Sequence, residues 1–385
     1  MKKISILVIS GEDLYLRIPS LIALKNKGYS IFAAGSVEHP WFAEAGIKFY
    51  KYDLNRKFNL FSDIYSMRRI KEIYYECKPD IVHAFDTKPC ILTPLSLGLI
   101  KGANIIRTIN GMGVIFSENN FQNFFLRIIY IALHFFIRNR VSLTIFQNSG
   151  DMNFFRKFFL ANKNNSQIIA GSGISVNDIN QKINKGSRKD LRDYLFPQKD
   201  IIFILVSRMI ISKGIETFIE AADIVIKKND KVGFLLVGPD ASEEPEGVKM
   251  DDYINLSKEI KYLGKRDDIP NLLNASDFFV LPTFYKEGIP RALLEAQAIG
   301  LPAIVSNISG CKDVIIEGKN GWQVPPNDKR KLANKIIQAI ETTESKKKEM
   351  SIFSKRNIIE KYSVSVISNE TDKVYKKSIN EQELK

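Results

Sequence analysis

Two successive blocks of alternating strand and helix patterns constrain this chain more than any other feature of it. Short apolar runs recur at Ile4–Ile9, Ser30–Ala34, Ile81–Phe85, Asn104–Thr108 and Leu143–Phe146. Longer helical patterns separate them at Leu14–Lys27, Leu60–Cys77, Pro89–Ile100 and Phe121–Arg138. Runs this apolar suit strands covered on both faces, and strands alternating with helices build parallel sheets. The alternation resumes with strands at Ile201–Val206, Val232–Val237, Ile260–Leu263, Phe278–Leu281 and Pro302–Ser306, and a helix at Ile215–Lys228. The fold class is therefore α/β, with two doubly wound domains. A length of 385 residues, too great for one ordinary core, agrees. The polar stretch 171–198, with Gly186, Ser187 and Pro197, reads as the connection. The predicted domains are 1–185 and 186–360, and a charged helical segment, 361–385, is expected to pack back on the first.

Hydrophobic content of 45% and charged content of 26% exclude wholesale disorder. Cys77, Cys90 and Cys311 are odd in number and lack metal-ligand spacing, so they read as packing thiols in a reducing compartment. Lys2 and Lys3 before ISILVIS mimic a signal peptide, but the run is short and Gly11-Glu12-Asp13 follow, which favours a first strand. No uncharged apolar stretch approaches the eighteen or so residues of a spanning helix. Charge is uneven: residues 1–190 carry 26 Lys and Arg against 14 Asp and Glu, residues 191–385 carry 30 against 29. A basic first half points to an anionic partner, namely a membrane surface, a nucleic acid or a phosphorylated substrate. A lysine-rich compositional bias is the plainer alternative, though it would affect both halves alike. Nucleic acid is disfavoured, since the basic residues are scattered and form no recognised binding motif.

Ligands of doubly wound sheets bind at the carboxyl ends of strands, where Gly11, Asp86 and Asn110-Gly111 fall in the first domain. The Gly11 turn lacks a full G-x-G-x-x-G, which argues against a nicotinamide cofactor. On the helix Phe121–Arg138, Asn123, Arg127, His134 and Arg138 form one narrow polar stripe. Two readings stand: a buried crossover helix with one wet edge, or an element dipping into a bilayer surface with its arginines meeting phosphates. Phe154, Phe155, Phe158 and Phe159 with Arg156 and Lys157 continue the aromatic and basic character.

In the second domain the stretch Tyr285–Ala303 follows the strand Phe278–Leu281. Pro290 suits the first position of a helix that Gly300 and Pro302 stop. Glu287 then lies in the loop at the helix mouth, beside Gly288 and Ile289, and Glu295 lies further in. A helix N-terminus attracts phosphate, and carboxylates there accept from sugar hydroxyls. Arg208 ends the strand Ile201–Val206, and Lys213 with Gly214 opens the next helix, setting two cations at the same ligand edge. Gly238-Pro239 and Gly264-Lys265-Arg266 are further turns on that edge, where backbone groups and Arg266 would meet a base.

The segments S-R-M-I-I-S-K-G, L-V-G-P, Y-L-G-K-R-D-D-I-P and E-G-I-P-R-A-L-L-E-A resemble the retaining nucleotide-sugar glycosyltransferases of family 4. That family has the GT-B fold of two facing Rossmann-like domains, and the resemblance covers nearly the whole chain. It implies that Glu287 contacts the transferred sugar, that Glu295 holds the ribose, and that Arg208 and Lys213 neutralise the departing diphosphate. Gly11, Gly238, Lys265, Arg266, Gly288 and Ile289 complete the expected donor site. No D-x-D motif occurs, consistent with cations in place of a metal, and no cofactor is expected. P-D-I-V-H-A-F, R-T-I-N-G-M-G-V-I-F-S, F-Q-N-S-G-D and G-S-G-I resemble a subgroup that builds surface polysaccharides on polyprenyl diphosphate. Many members carry histidine where this chain has Asn110, which with Gly111 is expected on the acceptor side. Asn110 cannot take a proton at neutral pH, so His83 is the remaining candidate imidazole, either structural or catalytic.

The resemblance implies a retaining transfer of an N-acetylhexosamine or galactose-type sugar from a UDP-sugar to a lipid-linked saccharide in capsule, O-antigen or glycan precursor synthesis. The expected setting is cytoplasmic and bacterial, peripheral on the inner face of the membrane. A nucleotide-sugar epimerase or hydrolase of the same fold is the alternative, and it would need no acceptor.

Overall fold

The apolar runs assemble into two parallel sheets in a computed structural model, which describes residues 3–55, 59–118, 120–184, 188–243, 246–250, 253 and 257–383. The first sheet holds β1 (Ser5–Ile9), β2 (Ser30–Gly35), β3 (Lys48–Lys51), β4 (Ile81–Phe85), β5 (Ile105–Ile109), β6 (Leu143–Phe146) and β7 (Ser166–Ile168), in the order β3-β2-β1-β4-β5-β6-β7. The second holds β8 (Ile201–Val206), β9 (Val232–Val237), β10 (Ile260–Tyr262), β11 (Phe278–Leu281), β12 (Ala303–Ser306) and β13 (Gly321–Val324), in the order β10-β9-β8-β11-β12-β13. Every pairing is parallel, with registers such as Val8↔His83 and Phe203↔Phe278. Strand order reverses between β1 and β4 and again between β8 and β11, so each sheet has one switch point where a ligand crevice opens. Strands β4, β5, β9, β11 and β12 are buried along their whole length, which is why their sequences do not alternate.

The chain divides into two units, one of Met1–Gly173 with Val364–Lys385, the other of Ile174–Ser363. The short helix Val176–Gln181 packs on the helix Arg291–Ile299 and so joins the second unit. The boundary expected at 185/186, with Gly186 and Ser187, lies outside the described residues. The helix Val364–Glu383 belongs to the first unit: Ile367, Val374 and Tyr375 share a core with Ile6, Val8, Leu21 and Ile31. The Tyr29 hydroxyl donates to Asp372 at 2.8 Å, and Asn104 and Ser378 exchange hydrogen bonds.

Strands β3, β7 and β13 escape the sequence pattern. All three are edge strands, and β7, Ser-Gln-Ile, has no buried position. The expected helix Leu14–Lys27 is divided into a 3₁₀ stretch, Glu12–Arg17, and an α-helix, Ile18–Asn26, with a proline in its first turn.

The helix Phe121–Ile137 does not carry its polar stripe as a wet edge. Its polar stripe turns inward: Asn123 and His134 are buried beside Tyr130 and Ile137. The cause is Arg107 on β5, wholly buried, which donates to His134 Nδ1 (2.6 Å), Thr144 Oγ1 (3.0 Å) and the Leu160 carbonyl (3.2 Å). A buried guanidinium needs acceptors, and the stripe supplies one. Arg127 also turns inward, donating to the carbonyls of Ile115 (2.6 Å) and Glu118. Phe121, Phe124, Phe125, Ile128, Ile129, Phe135 and Phe136 are left exposed. The stripe is therefore not a wet edge, and Arg127 is not available to meet phosphates.

Candidate active site

Three loops at the carboxyl edge of the second sheet are fastened to one another. After β8 the chain forms a 3₁₀ turn, Ile211–Lys213, closed by Gly214 in the left-handed region (φ 77°). A Cβ at Gly214 would stand 2.2 Å from the Pro282 carbonyl oxygen, so only glycine allows the β11 loop to pass. The Ser212 carbonyl accepts from Phe284 N (2.9 Å), Tyr285 N (3.0 Å) and Thr283 Oγ1 (3.0 Å). The Ser212 hydroxyl donates to buried Glu246. On the other side, a Cβ at Gly310 would lie 1.9 Å from the Gly288 carbonyl oxygen, which joins the β12 loop to the same point. Sequence reasoning misses Ser212, Thr283, Glu246 and Gly310, because their contacts join loops far apart in the chain and no short motif encodes them.

This framework brings Lys213 and Glu287 together as an ion pair, Nζ to Oε1 2.5 Å, both side chains largely covered. The Lys213 ammonium also lies 5.0 Å from the centre of the Tyr285 ring. Cys311 stands close by: burial raises its thiol pKa, with the Glu287 carboxylate adding to the rise and Lys213 opposing it. Arg208 lies two residues after β8 and is half-buried. Pro290 caps the helix Arg291–Ile299 rather than occupying its first turn, and Gly300 (φ 91°) ends it. Gly288 and buried Ile289 lie in the loop before that helix. Glu295 accepts from Arg291 Nε at 2.9 Å, one turn back on the same helix. Gly238 (φ 148°) passes so near Ser207 that a Cβ would overlap its carbonyl oxygen, and Gly238 N donates to the Gly264 carbonyl (2.9 Å). Lys265 follows that turn. Arg266 is held in a two-point pair by Asp268 (2.8 and 2.7 Å), a partner that its sequence context does not announce.

The switch point of the first sheet is built around one carboxylate. Asp86, in the left-handed region (φ 68°), accepts from the Ser10 hydroxyl and from Gly11 N (3.1 Å) through one oxygen, and from Asn110 Nδ2 (2.6 Å) through the other. Gln147 Nε2 donates to Asn110 Oδ1 (3.2 Å), and Gly111 follows with φ 118°. Tyr52 supports the turn from below, donating to the Ser10 carbonyl at 2.7 Å. Gly11, Asn110 and Gly111 therefore share one edge.

His83 does not join them. It is 1% exposed, in the middle of β4, with Nδ1 2.7 Å from the Tyr375 hydroxyl and Nε2 2.7 Å from Thr108 Oγ1. Burial, and secondarily Arg17, hold its pKa well below the ordinary value. With both nitrogens engaged and no solvent access, His83 is a neutral core group, and its candidacy as a catalytic imidazole is corrected here.

Comparison with known proteins agrees with this geometry. Residues 187–356 match the model for glycosyl transferases group 1, and residues 3–148 match glycosyl transferase 4-like. The chain is 30% identical over 290 residues to the UDP-Gal:alpha-D-GlcNAc-diphosphoundecaprenol alpha-1,3-galactosyltransferase of Escherichia coli, spanning 74% of this chain and 72% of that protein. It is 26% identical to the N,N'-diacetylbacillosaminyl-diphospho-undecaprenol alpha-1,3-N-acetylgalactosaminyltransferase of Campylobacter jejuni, over 88% of this chain and 89% of that one. Among solved structures, Anabaena HepE in complex with UDP-glucose superposes with a TM-score of 0.80 at 19% identity, covering 97% of this chain and 99% of its own. The chain belongs to the GT-B glycosyltransferases that join a 4-like first domain to a group 1 second domain, and it is a transferase.

Proposed function

We propose that the chain moves a galactose or N-acetylhexosamine-type sugar from a UDP-sugar to a saccharide carried on polyprenyl diphosphate, with retention at the anomeric carbon. The observation that carries this reading is the Lys213–Glu287 pair, held by three interlocked loops at the switch point of the second sheet. Lys213 and Arg208 are placed to take the charge that grows on a departing diphosphate, and stabilising that charge is the main source of rate in such a transfer. Glu287 holds Lys213 until the donor arrives, then orients the sugar whose anomeric carbon gains positive charge. Glu295, one turn into its helix, binds the ribose. With two cations in these roles the reaction runs without a metal ion. The hydrogen-bonding edge at Asn110 and Gly111, beside the Asp86 carboxylate, suits acceptor hydroxyls. The names of the Escherichia coli and Campylobacter jejuni relatives support both the sugar types and the lipid carrier.

A lipid carrier sets the work at a membrane, inside the cell and on the surface of the bilayer. Two features support that setting: the basic first half and the exposed aromatic face of Phe121–Ile137. The deciding experiment supplies UDP-galactose, UDP-N-acetylgalactosamine and UDP-N-acetylglucosamine with a short-chain diphosphate-linked monosaccharide. Acceptor-dependent release of UDP and an α-linked disaccharide are expected. Turnover of the nucleotide sugar that is indifferent to acceptor would instead identify an epimerase or hydrolase.

A further inference from the structure

At the end of the helix Phe121–Ile137, away from the carboxyl edge of the sheet, lies an open pocket of about 460 Å³ lined by Phe135, Arg138, Asn139, Phe159, Asn162 and Asn165. Its polar lining offers donors. The Arg138 guanidinium lies 3.5 Å over the Phe135 ring, and Arg140 lies 4.5 Å over Phe136. Among the described residues no carboxylate pairs with Arg138, Arg140 or Lys163. The side-chain oxygens of Asn162 and Asn165 are consumed by their own loop: Asn162 Oδ1 accepts from Asn164 N (2.8 Å) and Asn165 N (3.1 Å), and Asn165 Oδ1 from Asn162 N (2.8 Å). Their NH₂ groups take no part in those bonds. Donors and a cation without acidic neighbours select an acceptor-rich anion.

The rim is apolar and presented at a conformational cost. Phe159 follows the helix Ser149–Lys157 with φ 56°, a position that suits glycine or asparagine, yet its side chain is 76% exposed. Phe135 and Phe136 are exposed beside it, and the same apolar face continues along the helix to Phe121. A strained aromatic is thus held largely in solvent at the pocket's rim.

We propose that this pocket binds the phosphate of an anionic phospholipid headgroup while Phe135, Phe136 and Phe159 enter the acyl boundary around it. The inference rests on the membrane setting proposed above and deepens it: lipid is gripped at one defined site at the far end of the helix from the sheet's ligand edge. Arg138, not inward-facing Arg127, is the phosphate contact. Phe135 and Phe136 carry the affinity that salt does not screen.

The test measures binding of the full chain to phosphatidylcholine vesicles, to vesicles with about one third phosphatidylglycerol, and to monomeric dihexanoyl-phosphatidylglycerol. Arg138→Gln should weaken binding to the anionic vesicles by more than about tenfold, abolish saturable binding of the short-chain lipid and leave binding to phosphatidylcholine unchanged. Lys163→Gln, which removes an equal charge nearby, should cost less than about fivefold. Phe159→Gly relieves the backbone, so it should raise the melting temperature while weakening binding to both vesicles. Equal effects of Arg138→Gln and Lys163→Gln would overturn the pocket and leave the membrane setting standing. Saturable binding of the short-chain lipid by a protein that floats with neither vesicle would overturn the setting and keep the pocket. Binding to none of the three probes overturns both.

Discussion

At the switch point of the first sheet polar groups bond in a network around one carboxylate; at that of the second two opposite charges meet as an ion pair. Asp86 takes bonds from Ser10, Gly11 and Asn110, and Gln147 completes the set, so each strong acceptor there has its donor. Across the other switch point an ammonium and a carboxylate face each other on loops whose geometry is set by Ser212, Thr283 and Gly310 rather than by the pair. One topology thus supports two uses of polarity. Where the network is closed, it holds the loops. Where the loops are held by other means, the charges pair with each other, and the proposed donor would part them.

The contrast breaks if charge removal unfolds the second site or spares the chemistry. Arg208→Ala and Lys213→Ala are each expected to lower kcat about a hundredfold while shifting the melting temperature by only a few degrees. Asp86→Ala should do the reverse in kind, costing about 3 kcal/mol of stability by stranding the donors of Ser10, Gly11 and Asn110. Wild-type turnover in Lys213→Ala, or an Asp86→Ala protein as stable as its parent, reverses the comparison.

Within the second site the two glutamates sharpen it. Glu287 stands against Lys213, the cation proposed to meet the diphosphate, whereas Glu295 makes a half-buried pair with Arg291 on its own helix. Glu287→Gln should therefore lower kcat about tenfold, and Glu295→Gln should raise KM with kcat little changed. Steady-state kinetics showing the opposite split would mean the donor binds the other way round.

A smaller effect belongs to the first unit. His83 and His134 are both buried, and burial, with a nearby arginine in each case, depresses both pKa values. The unfolded chain then binds protons that the folded one refuses. Stability is fully present above the unfolded value of about 6.5 and declines as pH falls below it, by up to about 1.4 kcal/mol per pH unit for each histidine. Denaturant unfolding between neutral and mildly acid pH should show this slope, and His83→Gln should reduce it. The smallest expected effect is none: EDTA should leave transfer unchanged, and a loss restored by Mg²⁺ would return a metal to the mechanism.

Much of this architecture is legible because buried parallel strands announce themselves as unbroken apolar runs, and Ile81–Phe85 and Leu143–Phe146 come out at their observed limits. That Lys213 and Glu287 share one edge follows from the carboxyl-edge rule, whereas their pairing depends on the loop contacts of Ser212, Thr283 and Gly310. Less legible is anything decided by a distant partner. The polar stripe of Phe121–Ile137 is visible, but its direction depends on Arg107, hidden in a strand that reads as plain core. His83 looks available until Tyr375, on the far side of the sequence, takes its Nδ1. Arg266 loses its expected freedom to Asp268, two residues away, where only side-chain rotamers decide.

The helix Val364–Glu383 completes the core of a unit whose other residues end at Gly173. On the ribosome this imposes an order. The second unit is contiguous and can close as soon as Ser363 has emerged, whereas the first must hold Tyr29, His83 and Asn104 without their partners while the intervening residues are made. At typical elongation rates that wait is on the order of ten to forty seconds. A chain truncated at Ser363 and released from the ribosome should accordingly resist protease in the second unit while the first remains open to cleavage. Equal protection of both would show that the first unit closes unaided, leaving the helix as a late clasp on a finished fold.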